Sequence, residues 1–252
     1  MSPAGDDANP GTGDRPFRTL HRARDEVRTI NADMQADIVV LLHAGEYALE
    51  EPFVLTEEDS GRNGHAVVYR SRDGIGQARI TGGRPVTGWT EAEPGIWRAE
   101  VGKDHVFHTL YDNGRRVRKA RHPNYLHQER FPTAAAPYLV AEDGSLKREP
   151  GERKSWVKYA AGDLDPAPLA VGTLKINVWP WGKCDWHRWI CEVVGIDPEN
   201  RLLTFDNLGD RTEIKPLARY FLEDHRALLD APGEFFLDRD EGLLYYMPLD
   251  GG

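Results

Sequence analysis

The sequence predicts a mainly β protein with a single long helix near its start. Short apolar runs recur between turns rich in Gly, Asp and Ser. Only the stretch after Pro16 shows apolar positions three to four residues apart. From Gly82-Gly83 onward, aromatic-rich segments alternate in the manner of antiparallel strands.

With 252 residues the chain can bury a real core, as one large domain or two modest ones. Hydrophobic residues at 40% and charged residues at 29% place it among globular chains rather than disordered ones. A formal net charge of −9 argues against a nucleic-acid partner, which needs a basic face. The basic run Gly114 to Arg121 is the exception, and its spacing with small and apolar residues reads as the solvated face of a strand. No apolar run approaches the roughly 18–20 residues that cross a bilayer, so no membrane partner is expected. Met1 to Asp7 contain neither a charged nor an apolar signal region. Cys184 and Cys191 cannot form a disulfide framework and read as two small, partly buried thiols, which leaves the compartment open.

Gly, Asp, Asn and Pro in residues 1–15 mark an irregular opening segment. Pro16 then opens an amphipathic helix, with Phe17, Leu20, Ala23, Val27 and Ile30 on one face. Ile38 to Leu42 is an apolar run suited to a strand buried on both faces. Ala44 to Tyr47 turns the chain, and Pro52 to Leu55, Ala66 to Arg70 and Ala78 to Thr81 follow as short strands. Hairpins or the coils of a parallel β-helix would both give this pattern. Further on, Asp112-Asn113-Gly114 is a strong hairpin signal, and residues 123–153 read as a long polar loop. Thr173 to Trp179, Trp189 to Ile196 and Arg201 to Phe205 form a strand series. Glu234 to Asp238 and Leu243 to Tyr246 close as a hairpin.

Three stretches in this order resemble pectate-lyase-like right-handed parallel β-helix proteins of glycoside-hydrolase type. They are Gly5 to Thr12 with Pro16 to Leu20, then Ala44 to Tyr47, then Leu229 to Asp238 with Leu244-Tyr245-Tyr246. The resemblance implies a capping helix and first β-helix coils over residues 1–83, then an inserted antiparallel β-sandwich-like domain over 84–252. It also implies coils beyond the Tyr-Tyr hairpin and a strand before Met1, hence a chain shortened at both ends with its catalytic coils elsewhere. Such proteins are usually secreted and act on plant or microbial polysaccharide. The expected partner is therefore a polysaccharide or oligosaccharide, and activity in this chain alone is uncertain. Lyase chemistry would need Ca²⁺ with an Arg or Lys base, a combination no stretch displays. No cofactor is expected; Asp6, Asp7 and Asp14 read as structural, with Ca²⁺ as the alternative.

Forty-one Asp and Glu residues identify no catalytic pair, so the catalytic residues stay unknown. The densest cluster of chemistry is Val178 to Trp189, with four of the seven Trp residues. Flat rings with an N–H handle suit stacking on sugars, although alternate members equally suit a core. Trp179, Trp181, Asp185, Trp186 and His187 are the candidate substrate-binding residues. Cys184, Asp185, His187 and Cys191 do not fit zinc spacing, so no metal site is expected. Two further readings stay open: a non-catalytic carbohydrate-binding or structural module, and an inactive gene fragment.

Overall fold

A computed structural model of the chain describes residues 1–124, 138–145, 154–181, 187–206 and 213–249. It divides into two compact units, Met1–Pro85 and Val86–Gly252.

In the first unit, α1 (Leu20–Ile30) is followed by β1 (Ile38–Leu42), β2 (Gly45–Ala48), β3 (Val67–Ser71) and β4 (Ala78–Thr81). The chain returns in the same direction to lie beside itself twice. Ile38 pairs with Val67 in a parallel β1–β3 ladder, and Gly45 with Ala78 in a parallel β2–β4 ladder. The amino group of Met1 donates to Leu41 O at 2.7 Å, and Met1 O accepts from His43 N at 3.0 Å, on the edge of β1 opposite β3. Leu20 and Ala23 of the helix join Met1, Phe17, Leu42 and Tyr47 in one small core.

The helix starts later than its apolar spacing predicts, because a capping device sits after Pro16. Thr19 is the N-cap, its hydroxyl accepting from Arg22 N at 3.2 Å. Asp7 reaches back to this end: Oδ1 accepts from Arg18 N and Thr19 N, each at 2.8 Å, and Oδ2 takes the Thr19 hydroxyl at 2.7 Å. The opening motif is therefore a brace for the helix start, and Asp7 has its oxygens committed to it. Three other expectations change. Val39 and Leu41 are exposed, because β1 packs on the core with one face. Residues Pro52 to Leu55 form no strand; Val54 O instead accepts from Arg24 Nη1 at 3.1 Å. Gly45 to Tyr47 belong to β2 rather than to a turn alone.

The second unit contains β5 (Thr90–Glu93), β6 (Ile96–Glu100), β7 (Tyr111–Asp112), β8 (Arg115–Arg116), β9 (Arg118–Lys119) and β10 (Arg121–His122). Next come β11 (Leu139–Val140), β12 (Asp143–Gly144), β13 (Lys154–Lys158), β14 (Lys175–Trp179) and β15 (Trp189–Asp197). The last are β16 (Leu202–Asp206), β17 (Arg219–Glu223), β18 (Glu234–Asp238) and β19 (Leu243–Met247). Asn113 and Gly114, at φ 47° and 78°, make the predicted tight turn between β7 and β8. Strands β11 and β12 interrupt the stretch expected to be one long loop.

An eight-stranded antiparallel sheet runs β10-β17-β14-β15-β16-β13-β12, with β11 also on β17. A five-stranded sheet runs β5-β6-β19-β18-β9 and is antiparallel except for β18 beside β9. Ile96 and Phe236 of the smaller sheet share one core with Ile176, Val178, Tyr220 and Leu222 of the larger. The smaller sheet is buried on its other face too, where Phe235, Leu237 and Leu244 meet Val117, Trp89 and Phe107. That two-sided burial explains why Glu234 to Leu237 is an unbroken buried run without alternation.

Candidate functional site

Strand alternation divides the residues of β14 and β17 into two sets. Ile176, Val178, Tyr220 and Leu222 point into the shared core. Lys175, Asn177 and Trp179 therefore lie on the outward face, opposite Glu223, Phe221 and Arg219 in register. Strand β10 adds Arg121 beside Glu223.

On this face three rings meet. Tyr138 and Trp179 stand edge to face at 5.0 Å between centroids, and Phe221 lies 6.3 Å from Tyr138 and 6.1 Å from Trp179. Guanidinium groups are laid over them: Arg121 at 3.9 Å from the Phe221 centroid, Arg219 at 5.4 Å from Tyr138 and 5.8 Å from Trp179, and Arg188 at 5.9 Å from Trp179. Trp179 and Phe221 are consequently buried, whereas Arg188 is exposed and Arg121 and Arg219 half-buried. Burial first, and then the charge of Arg118, lower Arg121 to about 10, so it remains a cation at neutral pH. Asn177 is buried, and its Nδ2 donor meets no acceptor among the described residues. A buried donor left in this condition costs about 1–3 kcal/mol.

A second group stands apart from the first. The Trp181 ring lies 4.7 Å from His187 and 6.4 Å from Trp189, and His187 and Trp189 are 5.4 Å apart. Trp189 Nε1 donates to His187 Nε2 at 2.7 Å. An indole N–H can only donate, so Nε2 must accept, and the neutral ring carries its proton on Nδ1. The pair thus presents a fixed donor beside the half-buried face of Trp181. Trp189 itself packs against the large core.

The predicted residues therefore separate. Trp179 belongs to the arginine-covered face, while Trp181 and His187 lie together in the second group. Asp185 and Trp186 lie outside the described residues. The sequence did not single out Tyr138, Phe221, Arg121 or Arg219; Trp189 and Arg188 lie within the Trp-rich cluster but outside the candidate set. Arg121 ends the basic run expected to be a solvated strand face; instead Val117 and Ala120 are buried. Lys119 Nζ reaches Asp224 Oδ2 at 2.6 Å, joined by Lys175 Nζ at 3.4 Å. The run is not one strand but three short ones, β8, β9 and β10, of which β8 is exposed and β9 and β10 are half-buried.

Two other groups have perturbed chemistry. Burial pushes the Glu234 carboxyl up to about 8, with the charge of Asp230 adding to the effect against hydrogen bonds from backbone N–H groups of Asp230, Arg121 and Ala231. Such a carboxyl is an acid at neutral pH, but at 4% exposure it reaches no glycosidic oxygen. Cys191 is a buried free thiol, pushed up to about 11 by burial and thus unreactive. Cys184 lies outside the described residues, and among the described residues no group of three or more His, Cys, Asp or Glu is placed to hold a metal ion.

The chain matches no known family model and no curated protein. One solved structure, a glycoside hydrolase, matches over 99% of this chain with a TM-score of 0.77 and 21% sequence identity. The two share a fold. This chain spans 43% of the length of that protein.

Proposed function

We propose that this chain is the N-terminal portion of a carbohydrate-active β-helix protein, of glycoside-hydrolase type, acting on plant or microbial polysaccharide. In this reading residues 1–83 form the capping helix and first coils, and 84–252 the inserted domain that holds the substrate. The parallel pairing of β1 with β3 and of β2 with β4, beside a covering helix, supports the first part. The fold shared with a glycoside hydrolase supports the second.

The observation that carries the sugar-binding role is the group of Trp181, His187 and Trp189. A half-buried indole face offers the apolar contact that the C–H face of a sugar needs, and a His ring locked in one tautomer offers a directed donor to a hydroxyl. Asp185 and Trp186, also candidates for substrate binding, lie outside the described residues, and Trp179 lies on the separate arginine-covered face. The proposal gives these 252 residues the holding of the substrate and assigns no catalytic carboxylate among them. Affinity electrophoresis against a panel of polysaccharides tests it. Retardation by at least one glycan, and its loss in Trp181→Ala with an unchanged melting midpoint, is the expected result. Hydrolysis by this chain alone would overturn the assignment of catalysis elsewhere.

A further inference from the structure

Resting on the carbohydrate reading above, we propose a second glycan contact on the outward face of β13, β16 and β15. There the Trp156 indole stacks on a neutral sugar ring that lies across Thr204 and Gly195.

Strand alternation sends Val157, Leu203, Phe205 and Val193 into the shared core. Trp156 and Thr204, directly opposite one another, therefore face outward. Gly195 stands on the other side of Thr204 in the same row, because a β-bulge skips Val194. Trp156 is half-buried there, and among the described residues no ring or guanidinium is stacked on its indole, in contrast to Trp179. The row thus descends from an indole to a small hydroxyl side chain to bare backbone, over two strand spacings or about 10 Å. Nothing inside the fold asks for glycine at position 195. Its φ is not left-handed, and a Cβ there would meet only Thr204 among the described residues, in ordinary contact at 3.4 Å. A glycine within a strand weakens it, and such a residue marks close approach by another group. The free space at Gly195 faces solvent, beside the one large apolar side chain of the row.

The flanking chemistry is balanced. Two residues from Trp156 in either direction along β13 stand Lys154, opposite Asp206, and Lys158, opposite Asp143. Lys154, Asp206 and Asp143 are exposed and Lys158 is half-buried. Each side of the row therefore carries one ammonium and one carboxylate. A sugar hydroxyl both donates and accepts, and this set, with the Thr204 hydroxyl, answers both needs. A polyanion would meet as many carboxylates as ammonium groups, so the occupant is a neutral glycan. Strand β15 also carries Trp189 of the first ring group, six residues before Gly195 and about 20 Å away along the strand. Two stations on one strand suit a polymer, which can hold one while it meets the other.

Isothermal titration of the full chain with xylan, galactomannan and mixed-linkage β-glucan tests this, with polygalacturonate as the charged control. The expected result is that at least one neutral polymer binds, with little dependence on salt. Trp156→Ala and Gly195→Val should each weaken that binding by about tenfold. The melting midpoint of Gly195→Val should stay level or rise, since a β-branched residue favours the strand. A merely structural glycine would give the same midpoint with binding intact, so Gly195→Val decides the matter even if Trp156→Ala fails to fold. Wild-type affinity in Gly195→Val, with binding lost in Trp181→Ala, overturns the second contact and leaves the carbohydrate reading in place. Salt-sensitive binding of polygalacturonate in preference to every neutral polymer overturns the neutral occupant. No binding to any polymer overturns both readings.

Discussion

At the scale of single residues, Trp179 and Trp181 lie two positions apart yet belong to two separate groups of rings. The density of Trp between Val178 and Trp189 was visible, and the structure uses it in two groups. What composition could not show is which ring face a neighbour occupies. Arg219 and Tyr138 are distant in sequence from Trp179 and reach it only through strand register. Glu234 was equally hidden, since nothing local distinguishes it from forty other acidic residues. Its folded-state value of about 8 lies above the ordinary 4.5, so the native state binds this proton more tightly than the unfolded chain. The contribution is fully present below about pH 4.5 and is lost as pH rises through about 8, a change on the order of a few kcal/mol. Subtracting the stability–pH curve of Glu234→Gln from that of the wild type should reveal this slope. Parallel curves for the two proteins would mean that the carboxyl is already ionised at neutral pH.

At the scale of elements, strands with simple alternation or a clear turn were legible, and strands defined by distant partners were not. Ala78–Thr81 and the hairpin at Asn113-Gly114 follow from local signals alone. Arg219–Glu223 carries charge at both ends and three apolar residues between, a pattern without period that only its partners β14, β10 and β11 explain. The helix shows another tertiary constraint. Arg28 binds Asp59 through Nε at 2.7 Å and Nη2 at 2.9 Å, tying α1 to the 3₁₀ turn Glu57–Asp59. Asn31 secures the same turn from the helix end, donating to Glu58 O at 2.7 Å. The Arg28 contact holds the Asp59 carboxyl far below the usual range, despite burial that opposes ionisation. Its stabilising effect is present above pH 4 or so and is lost as the solution becomes more acid. Asp59→Asn should therefore lower the melting midpoint by several degrees at pH 7, with the gap from wild type closing in acid. A constant gap down to pH 2 would rule out the ion pair as its origin.

At the scale of the whole molecule, each unit has its own core, and the second has two separated by one sheet. The β-rich character was legible, because turn residues and aromatic strands announce themselves locally. The layering was not, because the unbroken apolar run of β18 reads the same whether one face or both are covered. Both are covered, and the cost of truncation should show it. Phe235→Ala, on the face away from the larger sheet, should destabilise the protein by about 3–5 kcal/mol in urea unfolding. Ile190→Ala, at an exposed position, should stay within about 0.5 kcal/mol. Comparable small losses at both positions would mean that the far face of the sheet is open.

The placement of β18 and β19 has a consequence for biosynthesis. They are made after β6 and β9, by more than a hundred residues, yet they lie between those two strands in the five-stranded sheet. The β5–β6 hairpin must therefore wait with one edge of β6 unpaired, and β9 with its sheet partner missing, until β18 and β19 emerge. This sheet closes by insertion of a late hairpin between early strands. Until that hairpin docks, the inner edges of β6 and β9 stay open to other chains.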